Sequence, residues 1–262
     1  MQIKANDIHI TYELSGEKGA EVVVLSHSLS SSRLMWNPQM DALNPYFQVL
    51  RYDIRGHGAS GAPSGAYTLE LLGEDVIKLL DGLDINRVHF VGLSLGGMIG
   101  QCLALNHSHR LKSLALCDTA AIVPAEAQPL WQERMGQARK KGMEALVDQT
   151  MERWFTPSFL KKNSKMLAFI REQLLATPVS GYIGCAEAIR KLNYLDRLSE
   201  IKMPTLIMVG EDDPGTPVSA SEAIHERISN SKFVILPSAR HLSNVEQADA
   251  FNAALLKFLM EA

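Results

Sequence analysis

The pentapeptide Gly92-Leu93-Ser94-Leu95-Gly96 constrains this chain more than any other segment. Ahead of it, Arg87 to Val91 reads as a buried strand. Behind it, Ser94 to Asn106 carries Met98, Ile99, Cys102 and Leu105 at helical spacing. A serine wedged into so tight a strand-to-helix turn takes strained backbone angles, so residues without side chains must stand on both sides of it. Its hydroxyl is then exposed at the top of a sheet, at the positive end of a helix. The same five residues also fit an ordinary glycine-rich turn, so the rest of the chain has to supply the chemistry.

Strand-helix alternation runs through most of the chain. Ile3 to Ala5 and Ile8 to Glu13 alternate like a hairpin turned at Asn6-Asp7, and Val22 to Leu25 is a β-branched run suited to a strand covered on both faces. A short helix over Trp36 to Leu43, a strand over Gln48 to Tyr52 and a glycine- and proline-rich loop from Gly56 to Gly65 follow. Leu72, Val76, Leu79, Leu80 and Leu83 mark an amphipathic helix capped by Thr68, and Leu111 to Cys117 supplies the strand after the serine unit. The rhythm breaks after Asp118. Residues 122–200 hold helical stretches (Leu130 to Lys141, Met143 to Trp154, Ser158 to Ala176) punctuated by prolines, with no convincing strand. Alternation resumes with strands over Thr205 to Val209 and Lys232 to Leu236, a helix over Val218 to Ile228 between them, and a final helix bearing Val245, Ala248, Phe251, Leu255 and Phe258. The expected fold class is therefore α/β, a mostly parallel central sheet flanked by helices. Residues 1–121 and 201–262 form its two parts, and 122–200 a helical cap insertion.

The bulk numbers exclude several function classes. A formal net charge of −3 without any basic run argues against nucleic acid. No run of about 18 apolar residues points to a membrane, and Met1-Gln2-Ile3-Lys4 has no signal-peptide character. Cys102, Cys117 and Cys185 lie far apart without metal-ligand spacing and read as small buried hydrophobes, so no metal or cofactor is expected and a reducing cytoplasm is the simplest location.

A serine hydroxyl needs a positioned base, and the base an orienting acid. Of eight histidines, His241 alone combines a short loop after the last strand with a place just before the last helix. His89 falls within a strand, and His107 and His109 at a surface helix end. The acid belongs on a loop between serine and histidine. Gly210-Glu211-Asp212-Asp213-Pro214 offers Asp213 first and Asp212 next to it, and Asp118 follows the preceding strand. The developing oxyanion requires two N–H donors, one from Leu95 after the nucleophile and one from Leu29 in the loop Ser26 to Ser32.

In order and spacing, His27 to Leu29 ahead of Trp36, Asp53-Ile54-Arg55-Gly56-His57-Gly58, Gly92 to Gly97, and Gly210 to Asp213 followed by His241 resemble the α/β-hydrolase superfamily over essentially the whole chain. One departure is visible: many members have His-Gly ahead of the oxyanion donor where this chain has His27-Ser28. A narrower resemblance is to the 3-oxoadipate enol-lactonase family. It rests on Leu50 to Ser60, Gly92 to Gln101, Asp212 to Pro217 and, in the cap, Arg153-Trp154-Phe155-Thr156-Pro157. This resemblance implies a cofactor-free opening of a small anionic lactone in the β-ketoadipate route of aromatic-acid degradation, with Ser94, Asp213 and His241 as triad and Leu29 and Leu95 as oxyanion donors. An anionic substrate calls for cations or N–H donors nearby, for which Arg33, Arg134, Arg153 and Trp154 are candidates, with Trp131 as a further wall residue. The same triad would serve a cofactor-free perhydrolase or esterase, or a carbon–carbon bond hydrolase of ring-cleavage products. A non-catalytic ligand receptor on this scaffold is the remaining alternative, and a homodimer through apolar cap surface stays open.

Overall fold

The computed structural model describes residues 1–262. Eight strands form one sheet: β1 (Gln2–Ala5), β2 (Ile8–Gly16), β3 (Val22–Ser26), β4 (Gln48–Tyr52), β5 (Val88–Leu93), β6 (Leu111–Cys117), β7 (Thr205–Gly210) and β8 (Ser231–Leu236). Their order is β1-β2-β4-β3-β5-β6-β7-β8; the first two pairings are antiparallel and all others parallel. The β-branched and leucine-rich central strands are buried on both faces because helices cover both. Val24, Phe90, Leu114 and Ile207 point into one core with Leu72, Ile99 and Ile224. Their neighbours Val23, Leu25, Val91, Ala115 and Met208 point into a second core with Trp36, Phe251 and Leu255.

From β3 the chain crosses to β4 on one side and then returns to β5 on the other, so the strand order reverses at β3. A crevice opens outside the carboxyl ends of strands at such a reversal. Here those ends carry the Ser26-to-Ser32 loop after β3 and Ser94 after β5, while Asp118, Asp213 and His241 follow β6, β7 and β8.

Between β6 and β7 the chain is helical, as the pattern predicted, with one isolated bridge between Ile122 and Asn193. The expected helix over Ser158 to Ala176 is two, Pro157–Leu160 and Lys165–Ala176, because Asn163 takes a left-handed conformation (φ 43°) and Ser164 caps the next helix through its side chain. A further helix, Val179–Arg190, seats the insertion on the core. Its Gly181 meets the backbone of Gly56 so closely that a Cβ on either would strike the other. The expected final helix likewise splits into Ser243–Glu246 and Ala248–Glu261, broken at Gln247 (φ −124°, ψ 51°). No helix is long and apolar enough to cross a membrane.

Candidate active site

Ser94 sits between β5 and the helix Leu95–Asn106 with φ 55° and ψ −112°, a conformation that strains any residue with a Cβ. The turn closes only with glycine on either side: a Cβ at Gly92 would strike the Gly96 carbonyl, and one at Gly96 the Ser26 carbonyl. The Ser94 N–H donates to the Cys117 carbonyl at 2.9 Å, and the Thr119 hydroxyl donates to the Ser94 carbonyl at 2.8 Å, so β6 holds the turn from below.

The His241 Nε2 lies 2.8 Å from the Ser94 Oγ and its Nδ1 2.7 Å from the Asp213 Oδ2. The tautomer protonated at Nδ1 donates to Asp213 and leaves Nε2 free to accept the serine proton. Asp213 is 4% exposed, and its carboxylate also accepts from the Gly215 N–H (2.8 Å), the Thr216 N–H (3.2 Å) and the Thr216 hydroxyl (2.6 Å). Burial pushes the Asp213 carboxyl up, but the charge and hydrogen bond of His241 and the Thr216 and Gly215 donors outweigh it, leaving its pKa below the ordinary carboxylate value. For His241, burial pulls the imidazole down, yet the charge and hydrogen bond of Asp213 and the charge of Asp118 leave it above 6.5. Asp212 is exposed and Asp118 faces elsewhere, so of the three candidate acids only Asp213 bonds the imidazole.

Asp118 has a different task. Its Oδ1 accepts from the Gly210 N–H (2.8 Å), where the Asp213 turn begins, and its Oδ2 from the Ser243 hydroxyl (2.5 Å), just after His241. Complete burial, and then the charge of Asp213, push its carboxyl up to about 8.

The loop after β3 is held by two buried histidines. His27 donates from Nδ1 to the Ser28 carbonyl (2.7 Å) and accepts the Ile54 N–H at Nε2 (2.9 Å). His57 accepts the Ser30 N–H at Nε2 (2.9 Å). Burial is the main cause holding both neutral, at about 4 and about 3 respectively, so each stays a fixed donor-acceptor pair around Leu29. Neither Leu29 nor Leu95 gives its N–H to a backbone acceptor, which leaves both free to meet a ligand.

Ser94 and His241 open onto a cavity of about 210 Å³. The cap forms its far wall with Trp131, Arg134, Thr150, Arg153, Trp154 and Tyr182. This architecture has known relatives. Residues 21–248 match the family described as alpha/beta hydrolase fold. A 3-oxoadipate enol-lactonase from Acinetobacter baylyi is 35% identical over 97% of this chain and 94% of its own. A RutD protein of Yersinia enterocolitica, named a carbamate hydrolase, is 30% identical over 95% and 91%. The enol-lactonase from Burkholderia xenovorans LB400 superposes with a TM-score of 0.96 at 38% identity, over 99% of this chain and all of the other. The chain belongs to the α/β-hydrolase family.

In this hydrolase, four of the five cap and loop residues singled out from the sequence reach the cavity: Trp131, Arg134, Arg153 and Trp154. Arg33 does not. Its Nη1 is held at 2.6 Å by the fully buried Asp53, whose other oxygen takes the Arg33 N–H, so its charge is already met outside the pocket. Arg134 and Arg153 make no ion pair with any acid. Arg134 lies over the Trp131 ring at 5.5 Å, and Arg153 donates to the Thr150 hydroxyl at 3.1 Å. Burial, followed by repulsion from Arg134, pulls Arg153 down to about 10, and burial lowers Arg134 as well.

The cap wall is also tied to the loop that carries His241. The Trp154 carbonyl accepts from the Leu242 N–H at 3.2 Å, and the Glu246 carboxylate accepts from both the Thr156 N–H (3.0 Å) and the Arg240 N–H (2.9 Å). Sequence reasoning missed Thr216, although an aspartate three residues ahead of a threonine in a Pro-Gly turn is a recognisable acceptor motif. It missed Thr150 and Tyr182 as well, which carry no local signal; only the packing of two cap helices turns them inward. No group of His, Cys, Asp or Glu side chains is arranged to hold a metal ion.

Proposed function

We propose that this chain is a serine hydrolase that opens 3-oxoadipate enol-lactone to 3-oxoadipate, serving the β-ketoadipate route of aromatic-acid degradation. The observation that carries the reading is the pairing of a Ser94–His241–Asp213 hydrogen-bonded line at the cavity floor with two acid-free arginines on its cap wall. Relatives named as enol-lactonases over nearly the whole chain support the substrate.

The Ser94 Oγ attacks the lactone carbonyl as the His241 Nε2 takes its proton, and Asp213 stabilises the imidazolium. The carbonyl oxygen, now an anion, is met by the Leu29 and Leu95 N–H groups; each such donor contributes roughly 3–4 kcal/mol of transition-state stabilisation. The ring C–O bond breaks, His241 returns the proton, and the departing enol tautomerises to a ketone. Water then attacks the acyl-enzyme with His241 again as base, releasing the second carboxylate. Through both steps Arg134 and Arg153 hold the carboxylate that the substrate brings with it.

The test is the loss of enol-lactone absorbance with wild type and Ser94→Ala. Turnover that survives the substitution refutes the nucleophile. Robust Ser94-dependent esterase activity without enol-lactone turnover refutes the substrate.

A further inference from the structure

Ser28 is the residue at which this chain departs from the His-Gly pattern, and its surroundings give the departure a purpose. It is 1% exposed, and it lines the cavity beside Leu29, Ser94 and His241. Its main chain is fixed. The N–H points at the Met35 sulfur (3.4 Å), and the carbonyl accepts from the His27 Nδ1 (2.7 Å) and the Ser31 N–H (3.3 Å). At the two ends of the loop the hydroxyls are satisfied, the Ser26 Oγ with the Tyr52 Oη at 2.9 Å and the Ser32 Oγ with Gln173 at 2.6 Å, whereas those of Ser30 and Ser31 bond to no protein group. The Ser28 hydroxyl bonds to no protein group. It is not sealed off, as the unpaired Ser221 hydroxyl is, but borders the cavity, so a partner for it has to come from there.

We propose that the Ser28 hydroxyl is a third donor to the oxyanion, beside the Leu29 and Leu95 N–H groups; this rests on the reading of Ser94 as nucleophile. A carbonyl oxygen that becomes an alkoxide gains a lone pair, and two backbone donors leave room for one more bond. Ser28 directly precedes Leu29 on a backbone that His27 holds in place, so its hydroxyl turns about a single fixed bond. No existing hydrogen bond has to break when charge develops, which is the condition under which a donor acts chiefly on the transition state.

The experiment compares Ser28→Ala and Ser28→Gly with wild type in steady-state enol-lactone turnover, in affinity for a carboxyalkylboronic acid that forms a tetrahedral adduct on Ser94, and in thermal unfolding. The expected result is a fall in kcat of about 100-fold with KM nearly unchanged. Boronate affinity should fall by a similar factor, and Tm should hold, because no protein hydrogen bond is lost. Ser28→Thr, which keeps the hydroxyl, recovers activity. Wild-type kcat in Ser28→Ala, a loss confined to KM, or an unchanged boronate affinity overturns the proposal. Ser94→Ala run alongside separates the two readings: activity there refutes the nucleophile, whereas an inert Ser94→Ala with a fully active Ser28→Ala refutes the third donor alone.

Discussion

Replacing Asp118 by asparagine should stabilise this hydrolase increasingly as pH rises. Asp118 is completely buried, and burial together with the charge of Asp213 pushes its carboxyl from 3.8 to about 8. A carboxyl whose folded pKa exceeds its unfolded value binds its proton more tightly in the native state. Its stabilising contribution is complete below about pH 4 and is lost as pH climbs toward 8. Each pH unit within that window is worth on the order of 1 kcal/mol, so between about pH 5 and 7 the wild type loses at most roughly 3 kcal/mol through this group. Asparagine has no proton to lose and preserves the bonds: its Oδ1 still accepts from the Gly210 N–H, and its Nδ2 donates to the Ser243 oxygen. With about 2–4 °C per kcal/mol for a chain of this size, the Tm advantage of Asp118→Asn over wild type should grow by up to roughly 6–12 °C across those two pH units. Differential scanning fluorimetry of both proteins in matched buffers measures it. A Tm difference that stays flat, or shrinks as pH rises, refutes the linkage. The acidic limb of kcat/KM, expected above pH 6.5 in the wild type because the charge and hydrogen bond of Asp213 hold the His241 imidazole up, should hardly move in Asp118→Asn, since Asp118 is already mostly protonated there.

Two further outcomes follow from the cap. Arg153→Met should raise KM for an anionic lactone by about 30-fold or more, in line with the roughly 2–5 kcal/mol that a desolvated charge contact commands, while leaving turnover of a neutral ester of similar size close to wild type; equal losses on both would refute a charge-specific role. Gly181→Ala should lower Tm by roughly 2–12 °C, because its Cβ strikes the Gly56 carbonyl and overpacking against backbone costs about 1–3 kcal/mol; an unchanged Tm would mean that the cap helix slides without cost.

What the sequence makes legible follows the range of the interaction that decides it. The apolar runs announce their strands so strongly that Gln48–Tyr52 and Leu111–Cys117 begin and end where the pattern puts them. The glycines around Ser94 are legible because the turn is sterically impossible without them. Asp213 and Asp212 are adjacent in sequence and chemically alike, and only a tertiary fact separates them: one side chain is buried against His241 and the other is in water. Arg33 misled for the same reason, since its partner Asp53 stands on the next strand's loop and nothing near Arg33 reveals it. The break at Asn163 was readable in principle, because an asparagine in the left-handed region followed by a capping serine is a local signal, but an otherwise helical composition on both sides masked it.

The division of charge across the cavity connects the two halves of the chain to the two halves of the reaction. The sheet edge supplies the negative charge, on Asp213 behind His241, with Asp118 held mostly protonated beside it, and the cap supplies cations that no acid neutralises, Arg134 and Arg153. Under the proposed function, an anionic substrate entering this field would turn its carboxylate toward the cap and its carbonyl toward Ser94 and the Leu29 and Leu95 N–H groups. A neutral ester has no such preference and must find the reactive pose by shape alone. On that proposal the cap would raise the population of the reactive pose without touching the reacting bond, and because the Leu242 N–H and Glu246 fasten its Trp154–Thr156 corner to both flanks of His241, that alignment would be referenced to the proposed base itself. Changing what this hydrolase cleaves should then require changes in the cap wall, and changing how it cleaves should require changes at the sheet edge.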